Sequence, residues 1–248
     1  LVLDTPININ MWKNITSFAA VCLTLIIISC AGIPEVKPED PSRDSTEETV
    51  ILHPEPEPSD QETEAVITRH PGPPEDITGT GIVTQEKLAS FLLEFYLEHE
   101  KTGDFTDFVT NLSGYYIEES EIEGINHDVA FAQMCLETGF LRFGNLVSPD
   151  MNNYAGLGAT GLPGPDGLPE RGLIFPDPRT GVRAHIQHLK AYSSIEPLKQ
   201  ELVNPRFRFV SRGIAPTIQG LTGRWATDPQ YDKKITAILE RLYEFSFN

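Results

Sequence analysis

The sequence predicts a mainly α-helical domain with a loop-rich middle, preceded by a long acidic segment. Three observations lead there. From residue 84 onward, apolar residues recur at helical spacing in five separate stretches, and no stretch alternates as a half-buried strand would. Residues 151–179 are instead rich in Gly and Pro with little period, which marks loops and leaves room for one small hairpin. Residues 31–79 are Pro, Glu, Asp, Ser and Thr with scarcely any aromatic side chain, and such a segment buries too little apolar surface to offset its chain entropy.

The amino terminus reads as an address. Translation is expected to start at Met11, which opens the weakly basic stretch Met11-Trp12-Lys13-Asn14. The apolar run over residues 18–28 that follows is shorter than the roughly 20 residues of a spanning helix and suits a signal-peptide core. It ends in Ile27-Ile28-Ser29-Cys30, which resembles the lipobox of bacterial lipoproteins, whose cysteine is acylated and becomes the first mature residue. An uncleaved anchor or an ordinary secretory signal is the alternative. The resemblance implies a signal peptide over residues 1–29 and lipidation at Cys30. It also implies attachment to a membrane through acyl chains and no spanning helix. Ala31 does not match the Asp-type retention signal. The expected place is therefore the periplasmic face of an outer membrane, or the outer face of the cell membrane where there is no outer one. Residues 30–81 are expected to form a tether, extended by prolines and like charges, and residues 82–248 the folded domain.

Within that domain Thr84-Gln85-Glu86 caps a helix carrying Leu88, Phe91, Leu92, Phe95 and Tyr96. Phe105, Phe108, Val109, Leu112 and Tyr116 mark a second. Asn126-His127-Asp128 opens a third, residues 129–136, that is apolar nearly all round and so belongs in the interior. Val182, His185, Ile186, Leu189 and Tyr192 mark a fourth. Asp228 as cap with Pro229 in the first turn is expected to open the last, packed through Ile235, Ile238, Leu239 and Leu242.

Composition narrows the function. A net charge of −17 argues against gripping nucleic-acid phosphates, although much of it is local: between residues 31 and 79 the only basic side chains are Lys37, Arg43 and Arg69. Cys22, Cys30 and Cys135 suit neither a disulfide framework nor a zinc site. His185 and His188 share a helix face at a spacing that can hold a metal, but no third ligand accompanies them. No metal and no cofactor is expected. Cys135, among apolar residues, is expected to be inert core.

Glu137 is the residue out of place. It follows Phe131-Ala132-Gln133-Met134-Cys135-Leu136 without a break, and Thr138-Gly139 ends the helix behind it. A carboxyl walled by apolar groups keeps its proton to higher pH, which is what a general acid needs. A plain exposed glutamate at a helix end is the competing reading.

The stretch Ala132-Gln133-Met134-Cys135-Leu136-Glu137-Thr138-Gly139-Phe140 resembles the A-Q-x-x-L-E-[ST]-G block of the glucosaminidase family, glycoside hydrolase family 73. Asn152-Asn153-Tyr154-Ala155-Gly156-Leu157-Gly158 is similar to its N-N-x-x-G-I block, and Trp225-Ala226-Thr227-Asp228-Pro229-Gln230-Tyr231 to its Y-A-T-D-P-x-Y block. The three stand in family order across most of residues 82–248. Residues 181–192 resemble a branch of such enzymes from bacteria and phages. The resemblance implies an α+β lysozyme-like fold and an endo-β-N-acetylglucosaminidase acting on peptidoglycan glycan strands. In this role Glu137 would be the catalytic acid and Tyr231 would support charge at the active site. Asn153, Tyr154, Gly156 and Trp225 would bind substrate or shape the cleft, in a chain working as a monomer.

Where many members carry a second glutamate in a hairpin, this chain offers only Asp166, Glu170 and Asp177, none in a recognisable motif. Retention needs a partner carboxylate about 5 Å away and inversion roughly 6.5–9.5 Å, whereas a substrate-assisted reaction needs none. With no evident partner the last is favoured. The rivals for the domain as a whole are a lytic transglycosylase on the same fold and a non-catalytic wall-binding lipoprotein.

Overall fold

The computed structural model describes residues 71–144, 146–164 and 166–248. The expected signal peptide, Cys30 and most of the tether lie outside the described residues. Six helices form the described part: α1 (Gln85–Leu93), α2 (Gly103–Glu123), α3 (His127–Thr138), α4 (Pro178–Ser193), α5 (Ile218–Leu221) and α6 (Tyr231–Phe247). Among the described residues there is no strand, only isolated bridges. The mainly helical fold expected from the periodicity is the one observed.

α3 is the axis of the core. Val129, Ala130, Phe131, Ala132, Met134 and Cys135 are all fully buried, so the helix is enclosed on every side, with α2, α4 and α6 packed around it. Its start is fixed by Asn126, whose side chain accepts from the Asp128 and Val129 amides, satisfying donors that a helix N-terminus leaves open. Asp128, itself fully buried, accepts from the Ile82 amide at 2.8 Å and from the Tyr243 hydroxyl at 3.0 Å. One carboxylate thus ties the entering chain and the far end of α6 to α3.

Two boundaries differ from the sequence expectation. The packed chain begins before residue 82: Ile77 is fully buried in the core, its amide donates to Pro216 O and its carbonyl accepts from Asn126 N. A single isoleucine between prolines, acids and glycines carries no periodicity, so the tether signal masked it. The last helix opens at Tyr231 instead of at Pro229. Asp228 spends its carboxylate on the Gln230 amide, closing a turn ahead of the helix, and Thr222 caps the Asp232 amide from nine residues before Tyr231.

Residues 160–164 and 166–170 pair as the two arms of the small hairpin for which the sequence left room. Pro163 and Pro169 make an antiparallel bridge, and the Glu170 amide donates to Leu162 O at 2.8 Å.

α4 lies so close to the 152–154 segment that only glycine fits at Gly181. A Cβ there would stand 1.8 Å from the Asn152 carbonyl oxygen, a backbone atom that cannot step aside cheaply. Gly181→Ala is expected to cost about 3 kcal/mol and to lower the Tm by roughly 5–10 °C, measured by thermal denaturation. The same substitution at Gly103, where nothing lies within 4 Å, is the control that should leave the Tm within a degree or two.

Candidate active site

The carboxylate at the end of α3 is set by an unusual turn. After Thr138 three successive residues, Gly139, Phe140 and Leu141, adopt left-handed backbone with φ of 58, 58 and 60°. Two of them are not glycine, and each such residue costs of order 1–3 kcal/mol. The surroundings supply it: Phe140 stacks on Phe95 with centroids 3.7 Å apart, Tyr96 donates its hydroxyl to Phe140 O at 2.6 Å, and Thr138 Oγ1 accepts from Leu141 N at 2.9 Å. α3 therefore stops one residue after Glu137 and leaves that side chain at the edge of the core.

Glu137 is partly buried. Its Oε1 accepts from the Trp225 indole at 3.0 Å and, through a short hydrogen bond, from the Tyr231 hydroxyl. Its Oε2 faces Gly156, where a Cβ would lie 3.6 Å away. Gly156 has φ +61°, so a side chain there would be strained, although its Cβ would meet the carboxylate only at ordinary contact distance. Burial pushes the Glu137 carboxyl above its ordinary range, and the bonds from Tyr231 and Trp225 pull partly the other way. The Tyr231 phenol is pushed well up by burial and then by the neighbouring carboxylate, so it stays protonated and donates.

Trp225 is expected from the sequence to meet substrate, and the structure gives it a further task. Its indole N–H is spent on Glu137, and its ring is flanked by His185, His188 and Tyr192 at 5.8, 5.0 and 5.4 Å between centroids. Asn153 and Tyr154 require correction as substrate-binding residues. Asn153 is 1% exposed. Its Oδ1 accepts from Ala155 N and Leu157 N, and its Nδ2 donates to Leu157 O and Leu173 O. An amide with all four hydrogen-bonding positions taken braces its own loop against Leu157 and Leu173 and has none left for a ligand. Tyr154 is 1% exposed and packs against Phe143, so it has no face to offer a sugar.

The three carboxylates considered as partners of Glu137 have separate engagements. Asp177 caps α4, accepting from Thr180 N and Thr180 Oγ1 at 2.8 and 2.7 Å. Asp166 holds the Leu168 amide, and Glu170 accepts from Thr160. Asp166 and Glu170 line a groove of about 680 Å³ together with Gly158, Arg171, Leu173 and Arg206.

The two histidines of α4 face different partners. His185 is fully buried, with Nδ1 2.9 Å from the Tyr116 hydroxyl and Nε2 2.9 Å from Gln133 Oε1. His188 Nδ1 meets Asn204 Nδ2 at 2.9 Å. Burial lowers the pKa of His185 to about 3 and that of His188 to about 4. Gln133, 0% exposed, donates its Nε2 to the Tyr231 hydroxyl at 2.8 Å. Tyr116 stands out in the sequence only as helix interior, and Gln133 is the Q of the A-Q-x-x-L-E resemblance, without a role attached to it. The further signal available was a polar amide inside an otherwise apolar helix.

The chain is 45% identical over 161 residues, 65% of its own length and 74% of the relative's, to an uncharacterized protein of Borreliella burgdorferi. The family model described as mannosyl-glycoprotein endo-beta-N-acetylglucosaminidase matches residues 113–244, just over half of the chain and a span that includes Glu137, Trp225 and Tyr231. The chain therefore belongs to the mannosyl-glycoprotein endo-beta-N-acetylglucosaminidase family.

Proposed function

We propose that this protein hydrolyses the β-1,4 bond after N-acetylglucosamine in peptidoglycan, with Glu137 as general acid. One observation carries the reading: a carboxyl raised by burial, with one oxygen held by Tyr231 and Trp225 and the other turned toward Gly156. A group so placed keeps its proton to higher pH than an ordinary glutamate and can deliver it to a leaving oxygen. The second participant is either the sugar's own acetamido oxygen or a carboxylate of the hairpin, where Asp166 and Glu170 both line the groove. Asp166→Asn and Glu170→Gln separate them: both leave kcat within a few-fold in the first case, and one of them abolishes turnover in the second. Acyl chains on Cys30 would hold a monomeric enzyme at the envelope membrane.

The deciding experiment is mass spectrometry of fragments released from purified peptidoglycan by the full chain, beside its Glu137→Gln variant. Reducing N-acetylglucosamine ends from the native protein alone are expected. Anhydro-muramic ends would make it a lytic transglycosylase, and no release by either protein would make it a wall-binding lipoprotein.

A further inference from the structure

We propose that Tyr116, His185 and Gln133 form a buried positioning relay that points the Tyr231 hydroxyl at Glu137 and so keeps the transferable proton on Glu137 Oε2. The catalytic meaning rests on Glu137 being the acid; the relay itself does not.

Four hydrogen bonds link α2, α4, α3 and α6 in series. They run from Tyr116 to His185 Nδ1 at 2.9 Å, from His185 Nε2 to Gln133 Oε1 at 2.9 Å, from Gln133 Nε2 to Tyr231 Oη at 2.8 Å, and from Tyr231 to Glu137 Oε1. Such a series admits two directions. In one every group donates toward Glu137. In the other the imidazole tautomer is exchanged, the Gln133 amide is turned over, and the Tyr231 proton goes to Gln133 instead.

The far end decides. Tyr116 is fully buried, and His185 is the hydrogen-bond partner of its hydroxyl among the described residues. A phenol has a single hydrogen to place, and leaving a buried donor without an acceptor is costly. Tyr116 therefore donates to Nδ1, which must be the unprotonated nitrogen. His185, kept neutral by burial, then carries its hydrogen on Nε2 and donates to Gln133 Oε1. That fixes the amide, whose Nε2–H occupies a lone pair of Tyr231, and the phenolic hydrogen is left to Glu137.

The consequence falls on the carboxyl. Oε1 accepts from both Trp225 and Tyr231, so its lone pairs are taken and the proton of the acid form resides on Oε2, the oxygen beside Gly156. The ionisable or charged groups around this assembly are Tyr231 on α6, His185, His188 and Tyr192 on α4, and Arg206, whose charge bears on His188 and Tyr192. None but Tyr231 bonds to the carboxyl.

The test is the titration of the Glu137 carboxyl, followed by carbon-13 NMR in the full chain labelled at glutamate and assigned with Glu137→Gln. Tyr231→Phe removes a donor to the carboxylate and is expected to raise the midpoint by about one pH unit. His185→Phe is expected to raise it in the same sense, and the double variant no further than Tyr231→Phe alone. His185→Gln, whose amide can still donate to Gln133, should restore the native midpoint. A folded His185→Phe protein with an unchanged midpoint would overturn the relay. If His185→Phe does not fold, Tyr116→Phe carries the test: it should raise the midpoint by a few tenths of a unit, and no movement would overturn the proposal equally. Full hydrolysis by Glu137→Gln beside these shifts would dismiss Glu137 as the acid while the relay stood.

Discussion

Glu137→Gln is expected to lower kcat by about 10²–10⁴-fold, the usual worth of a positioned general acid, while KM stays within a few-fold. The amide keeps the carboxyl's shape and can still accept from Trp225 and Tyr231 through its oxygen, but it has no proton to deliver. The pH dependence has a definite sign. Burial raises the Glu137 pKa, and under the proposed mechanism the acid form is the active one, so kcat should fall as pH rises through that raised value. Stability moves with it. A carboxyl whose folded pKa exceeds its unfolded one binds more protons when folded, so the fold weakens between the ordinary glutamate value and the raised one. The Glu137→Gln protein should lack that slope and be the more stable of the two at alkaline pH, as paired thermal denaturations at pH 4 and pH 8 would show. A variant inactive because it is unfolded would show the opposite.

How much of this was visible in the sequence depends on distance along the chain. Glu137 was legible because its anomaly is local: a carboxylate directly behind the six residues Phe131 to Leu136 of a largely apolar helix, with Gly139 two places after it. Helix starts at Thr84 and Asn126 were legible for the same reason, since a cap and the amide it serves are two or three residues apart. The loops misled where a resemblance marked residues near a cleft without saying which way they turn. Asn153 and Tyr154 both turn inward, beside the close approach of α4 at Gly181, which nothing local announces. The roles of Gln133 and His185 were illegible because their partners stand 52 to 98 residues away; the resemblance marked Gln133 but not what it bonds, and a histidine in a helix announces no partner. His185 attracted notice for its spacing from His188, a pairing in which the two rings in fact face different helices and loops.

The largest stability effect is expected at Glu123. Glu119 and Glu123 lie one turn apart on α2, with 0% and 4% exposure, and together they hold α4 and the chain beyond it. Glu119 accepts from Arg179 Nε at 2.6 Å, Arg183 Nε at 2.8 Å and Gln200 Nε2 at 2.6 Å. Burial pushes its carboxyl up, but those three partners outweigh burial and hold it below the ordinary range. Glu123 meets Lys190 Nζ at 2.7 Å, with that lysine side chain only 3% exposed, and also accepts from the Lys199 and Gln200 amides. Glu123→Ala would leave a buried ammonium, and two part-buried backbone donors, without this acceptor, a loss of about 3–5 kcal/mol. Adding Lys190→Met removes the stranded charge and should recover part of that loss, because an apolar side chain tolerates the site better than an unpaired ion. The residual cost then measures the Lys199 and Gln200 amides. Since His185 lies on α4 between Arg183 and Lys190, the same clamps set the helix that holds Gln133. Activity of the Glu123→Ala protein should therefore track its folded fraction in urea, and kcat per folded molecule well below the transition should match the native enzyme within a few-fold. A folded but inactive Glu123→Ala protein would mean that α4 shifts without unfolding, and that α2 fixes the site as well as the fold.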